Sequence, residues 1–189
     1  SKLSPTAIRV FADLVASIPG ARLLLKAVQL DDASVRRWVA ALFEEAGLES
    51  QRIDMIGYVP GEQGHFAAMA RADLALDPFP FCGGKSTVDV LWMGLPVITL
   101  DGRFTMARMG TSILTRAGLP ELVARSEAEY VDKAHALARD PDRLARLRAG
   151  MRSRLAGSLL MDAKAHTRDL EAAYRHFMSE FDSKESGRV

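Results

Sequence analysis

Apolar positions along this chain switch between helical spacing and short continuous runs, and the alternation predicts an α/β domain. Ile8, Phe11, Ala12, Val15 and Ile18 recur on one face after Pro5, which suits the first turn of a helix, until Pro19-Gly20 stops it. Residues 21–28 then read as a strand. Its centre, Leu23-Leu24-Leu25, is continuous rather than alternating, as expected for a strand covered on both faces by helices. Asp31 or Asp32 caps a second helix with Val35, Trp38, Val39, Leu42, Phe43 and Ala46 as its apolar stripe, and Gly47 ends it. A strand at 53–59, a turn at Pro60-Gly61, a helix around 65–71 and a short strand at 72–76 follow.

The second half continues the alternation. Gly94-Leu95-Pro96 precedes a β-rich segment at 97–100, and Gly102-Arg103 opens a helix whose buried side would carry Met106, Met109, Gly110, Ile113 and Leu114. After Gly118-Leu119-Pro120 and a short Leu122-Val123 strand, the chain is helical from Ser126. Tyr130, Val131, Ala134 and Leu137 form one stripe, and Leu144, Leu147, Met151 and Leu155 form another beyond Pro141. A last helix at about 163–181 carries a wide stripe of Leu170, Tyr174, Phe177 and Phe181, and the polar residues 183–189 are expected to be a disordered tail. The whole predicts one domain over 1–182, a doubly wound parallel sheet with ligands at the carboxyl ends of its strands.

One such end holds the candidate chemistry. Asp77-Pro78-Phe79-Pro80-Phe81-Cys82-Gly83-Gly84-Lys85-Ser86 leads from a strand through a glycine turn into a helix that begins at Ser86 or Thr87. The first turn of a helix leaves backbone N–H groups without internal partners, and its dipole adds about half a positive charge there, so oxyanions bind readily. Lys85 adds a cation, or is a solvated surface lysine; Asp89, one turn along, is placed to accept from ribose hydroxyls, or to cap or salt-bridge its own helix. The pattern points to a nucleoside diphosphate. Cys82 has no histidine near it in sequence and reads as a small hydrophobe, and His135, His166 and His176 lack metal-ligand spacing.

Composition narrows the partners. The 189 residues hold 25 Lys plus Arg against 24 Asp plus Glu, a formal charge of +1, so no broad field draws the chain to nucleic acid or anionic membrane. A single cysteine excludes an internal disulfide, no apolar run approaches the ~20 residues of a membrane span, and no secretory signal is evident. The default expectation is a cytoplasmic protein whose natural start lies upstream of Ser1.

With its neighbours, the glycine turn resembles the carboxyl-terminal half of the O-GlcNAc transferase and SPINDLY family of GT-B glycosyltransferases. The resemblance runs through Lys2-Leu3-Ser4-Pro5, Ala21-Arg22-Leu23-Leu24-Leu25-Lys26, Asp73-Leu74-Ala75-Leu76-Asp77-Pro78-Phe79-Pro80, 89–100, 118–124 and the closing Arg168-Asp169-Leu170-Glu171. It implies a Rossmann-like nucleotide-sugar domain with added carboxyl-terminal helices. Lys2 would stabilise the leaving diphosphate, Gly83, Gly84, Lys85 and Ser86 would cradle it, Asp89 would hold the ribose, and His65 would line the pocket, unless it is an ordinary half-buried histidine. Pro60 lies where the base is gripped through backbone atoms. GT-B chemistry implies no metal, a nucleotide-sugar donor, a protein acceptor, and a catalytic half with a tetratricopeptide superhelix that these residues do not contain.

The chain departs from the animal members at Gly84 and Lys85, where they carry His and Thr, the second glycine being more like bacterial and SPINDLY-type members; Cys82 stands where Asn or Ala is more usual, while Asp89 agrees with the UDP-using branch rather than the GDP-fucose branch. The expected function is therefore transfer of a sugar from UDP-GlcNAc, or another UDP-sugar, to protein hydroxyls. The alternatives are an N-glucosyl- or O-fucosyltransferase domain and a non-catalytic nucleotide-binding scaffold.

Overall fold

The structure, a computed structural model, describes residues 2–186, with side chains as far as 181. Among the described residues, five short parallel strands and eight α-helices follow one another in the expected order. Helix α1 (Pro5–Ser17) starts where Ser4 accepts the N–H of Ala7, with proline in its first turn. Strand β1 (Leu23–Lys26) pairs in parallel with β2 (Ile53–Ile56), Leu23 opposite Ile53, and α2 (Ala33–Glu45), capped by Asp32, connects them. Helix α3 (Gly61–Met69) leads to β3 (Ala75–Leu76), which pairs with β4 (Val97–Leu100) across α4 (Lys85–Trp92). Helix α5 (Thr105–Arg116) returns the chain to β5 (Val123–Ala124), which pairs with the far half of β4. The remaining helices are α6 (Glu127–Ala138), α7 (Pro141–Ala156) and α8 (Ala163–Ser186).

All pairing is parallel, but the hydrogen bonding divides into a two-stranded β1-β2 sheet and a three-stranded β3-β4-β5 sheet. Val97, Ile98 and Thr99 are buried in succession, which requires cover on both faces of β4 and makes it the centre of the wound architecture. Helix α1 packs on α6, and α7 packs on α4 and α6. Three arginines of α7 tie that layer down: Arg148 donates to the carbonyls of Ala72 and Asp73, Arg152 to Trp92 and Arg154 to Gly118. Carbonyls at or just past the ends of α3, α4 and α5, otherwise orphaned, gain charged donors.

Four expectations are corrected. The strands are shorter than 21–28, 53–59 and 72–76, because Ala27 already accepts from Leu30 N–H in a 3-10 turn, and Asp31 takes the Tyr58 N–H just beyond β2. Met106 is 52% exposed; Ala107, Gly110 and Leu114 form the buried face of α5, one residue out of phase with the larger side chains. Trp38 lies on the solvent side of α2 while Val39 and Phe43, one turn apart, enter the core. Helix α8 continues through Ser186, since no glycine or proline interrupts 182–186 and Lys184 and Glu185 are good helix formers. The rest of the expected tail, 187–189, lies outside the described residues.

Candidate functional site

The glycine turn at the end of β3 is heavily tied, with Asp77, Phe79, Cys82 and Gly83 buried and Lys85 and Ser86 exposed. Asp77, 4% exposed, accepts the Gly83 N–H at 2.6 Å and the Thr99 hydroxyl at 2.8 Å. Tyr130, fully buried, donates its hydroxyl to the Asp77 carbonyl at 3.1 Å and packs against Phe11 and Phe79, while Ser4 donates to the Phe79 carbonyl. On the other side Cys82 Sγ donates to the Met106 carbonyl and accepts from Gly110 N–H, which fixes the turn to α5. The spacing is too tight for larger residues. A Cβ on Gly83 would run into Thr87 Oγ1 and stand 3.0 Å from Asp77 Oδ1, and one on Gly110 would stand 2.5 Å from Asp77 Oδ2. Burial pushes the Asp77 carboxyl above the ordinary range against the pull of its two donors and of Lys2, and burial pushes the Tyr130 phenol well up, with Asp77 adding to it.

Gly83 turns its N–H inward to Asp77. No side chain caps α4, and among the described residues no acceptor takes the N–H groups of Gly84, Lys85 and Ser86. Helices α3, α4 and α5, which begin beyond the carboxyl ends of β2, β3 and β4, all lack a side-chain cap, whereas α1, α2, α6 and α7 have one. Open helix starts thus gather on one edge of the fold.

Lys2 is fixed on that edge. Its ammonium donates to the Cys82 carbonyl at 2.8 Å and stands 4.6 Å from the Phe81 ring centroid, and among the described residues its other two N–H donors have no hydrogen-bond acceptor. Asp89, on the second turn of α4, meets Lys85 Nζ at 2.7 Å and His65 Nε2 at 4.0 Å, both at Oδ2. His65, on α3, also has its Nδ1 at 2.8 Å from Lys26 Nζ at the end of β1. A charged lysine only donates, so Nδ1 accepts and the ring proton sits on Nε2, toward Asp89. Three elements, β1, α3 and α4, therefore bring Lys26, His65, Asp89 and Lys85 into one row.

Of the residues singled out in the sequence, Lys2 and the Gly83–Ser86 turn come together, as do His65, Asp89 and Lys85. Pro60 sets the start of α3, the helix that carries His65, and among the described residues no hydrogen bond or ring contact joins it to the others. Cys82 is buried and serves the turn rather than any nucleophilic chemistry. Two residues were not predicted. Lys26 gives one signal, a lysine closing an otherwise leucine strand at the edge where ligands bind, and Asp77 gives another, a carboxylate followed by a run of prolines and aromatics on entering the turn. Among the described residues no group of three His, Cys, Asp or Glu side chains is placed to hold a metal ion. Shallow cavities of about 350 Å³ beside Leu48 and about 220 Å³ beside Arg146 lie elsewhere and gather no comparable chemistry.

Wound parallel strands with an open glycine turn, a paired lysine and a carboxylate one helical turn away define an α/β domain of the nucleotide-binding class. The profile of Glycosyl transferase family 41 matches residues 1–170, and the chain belongs to that family. It is 36% identical over 175 residues to a probable UDP-N-acetylglucosamine–peptide N-acetylglucosaminyltransferase SPINDLY of Petunia hybrida, covering 93% of this chain and 19% of that protein. It is 32% identical over 172 residues to the UDP-N-acetylglucosamine–peptide N-acetylglucosaminyltransferase of Caenorhabditis elegans, covering 90% of this chain and 14% of that one. A mutant of the Thermobaculum terrenum O-GlcNAc transferase superposes with a TM-score of 0.86 at 35% identity, over 93% of this chain and 34% of that chain. The chain thus spans about a fifth of the plant relative it matches.

Proposed function

We propose that the chain is the nucleotide-sugar half of a protein glycosyltransferase that moves N-acetylglucosamine from UDP to Ser or Thr hydroxyls. The observation that carries this reading is the pairing of an uncapped glycine turn with Lys2 on one side and Asp89 on the other, in a member of a family whose named relatives are UDP-N-acetylglucosamine–peptide transferases. As the glycosidic bond breaks, negative charge grows on the departing diphosphate. The amides of Gly84, Lys85 and Ser86 and the spare donors of Lys2 are preorganised to meet it, without a metal. Asp89 accepts from the ribose hydroxyls, and the Nε2 proton of His65 faces the same pocket. The acceptor protein and its activation belong to residues outside this chain.

Calorimetry on the protein in the presence of a chelator tests the assignment. UDP binds, GDP and ADP bind more weakly, and Asp89→Ala lowers UDP affinity by about tenfold or more, the value of a lost charged hydrogen bond. Negligible binding of all three nucleotides refutes the site.

A further inference from the structure

Lys85 is the cation of the glycine turn, yet its ammonium contacts Asp89, the residue assigned to the ribose, at 2.7 Å. The two ends of that ion pair are held very differently. The Lys85 side chain is 85% exposed, whereas the Asp89 side chain is 16% exposed and stands between Lys85 and His65. Lys85 is also the first residue of α4, whose first turn holds no acidic residue. A cation there opposes the helix dipole, and a lysine preceding its carboxylate by four residues is the less favourable order for such a pair. Exposed and badly oriented, the pair is readily given up.

We propose that Lys85 is a specificity-determining residue that exchanges partners on ligand binding. In the free protein it neutralises Asp89; when a nucleoside diphosphate enters, the ribose hydroxyls take Asp89 and the lysine turns to the phosphates beside its own amide. This rests on the reading of Asp89 as the ribose ligand and of the turn as the diphosphate cradle. The consequence is discrimination at one position. A nucleoside must displace Lys85 from Asp89 and offers the ammonium nothing in return. A nucleoside diphosphate displaces it and supplies a better counterion at the helix end, where the dipole and the amides of Gly84, Lys85 and Ser86 favour the same anion. Binding of the diphosphate also relieves the repulsion between the lysine and the dipole, so the gain is larger than that of a cation added at a neutral site.

The test compares uridine with UDP on wild type, Lys85→Met and Lys85→Arg by calorimetry. The exposed position makes both variants foldable, which a thermal melt checks. In Lys85→Met the competitor for Asp89 is gone and uridine binds a few-fold tighter, while UDP binds about tenfold weaker, so the preference for UDP falls by more than tenfold. Lys85→Arg retains most of that preference. Added salt weakens UDP more steeply than uridine in the wild type, and this difference shrinks in Lys85→Met. If Lys85→Met weakens uridine and UDP alike, or changes neither, the exchange is wrong while the donor-site reading stands. If the wild type fails to bind UDP, the reading beneath it falls, and the exchange with it.

Discussion

Removal of the Asp77 carboxylate is the sharpest test of how the glycine turn is held. Asp77→Ala leaves two buried donors, the Gly83 N–H and the Thr99 hydroxyl, without their acceptor. Each such loss costs about 1–3 kcal/mol, and the hydroxyl can rotate to a weaker partner while the amide cannot, so a total of about 2–5 kcal/mol is expected. Asp77→Asn keeps the shape: its carbonyl accepts from Gly83, and its amide donates to Thr99 Oγ1. It also removes a carboxyl whose ionisation is disfavoured by burial, so it costs less than about 1.5 kcal/mol. The sign with pH follows from the same shift. A carboxyl raised in the folded state stays protonated to higher pH than in the unfolded chain, so its contribution is complete below the ordinary aspartate value near 3.8 and is lost as pH rises through the raised value. Asp32, Asp54 and Glu129 are shifted downward and act in the opposite direction, so the difference between wild type and Asp77→Asn is the quantity to read. Urea denaturation at several pH values from 4 upward, with equal m-values across variants, supplies it. Equal losses for the alanine and asparagine variants, or a wild-type advantage that grows with pH, would refute the account.

Other consequences are simpler to check. Tyr130→Phe keeps the stacking on Phe11 and removes one buried hydrogen bond to the Asp77 carbonyl, so the thermal midpoint falls by an amount equivalent to about 1 kcal/mol. Gly110→Ala drives a methyl against Asp77 and Thr99 and costs about 1–3 kcal/mol, more than Gly84→Ala, whose Cβ meets only Met109 at 3.9 Å; denaturation curves rank the two. Lys2→Ala leaves stability nearly unchanged but weakens UDP far more than uridine, as calorimetry on both ligands would show.

Helices were legible where the chain carries its own punctuation. Ser4-Pro5, Asp32, Ser126 and Asp140-Pro141 mark starts that the structure uses as caps, and these signals act over three or four residues. Strand ends were not, because a strand stops where its partner stops: Ala27 is as compatible with a strand as Leu25, and only the turn back to Leu30 decides. Met106 shows a related limit. Periodicity gives the spacing of a buried face but its phase is set by space: Gly110 and Leu114 are buried as the pattern has them, the former with no room for a side chain against Asp77 and Thr99, but Ala107 takes the buried place in the first turn where the pattern favoured Met106. The glycine turn and Asp89 were legible because they share one local run. Lys26 was not, since it reaches His65 across 39 residues of sequence and nothing local to either residue records the meeting.

Four departures from local preference share one edge of this fold. A carboxylate is buried at Asp77, a lysine opens α4 against the dipole, His65 sits between a lysine and an aspartate, and three successive helices begin without side-chain caps. Each has a cost in the free protein, where α1, α2, α6 and α7 by contrast carry serine or aspartate caps. Selection for stability alone would scatter such departures or remove them. Their grouping has a physical reason if a dianionic ligand meets the open amides and the lysines together, because one binding event then relieves the missing caps, the dipole repulsion and the excess cation at once. The site is thereby distinguished from an ordinary polar surface by what its own described residues do not supply: acceptors for the first amides of α4, and a counterion for Lys85 other than the one it shares with its neighbour Asp89.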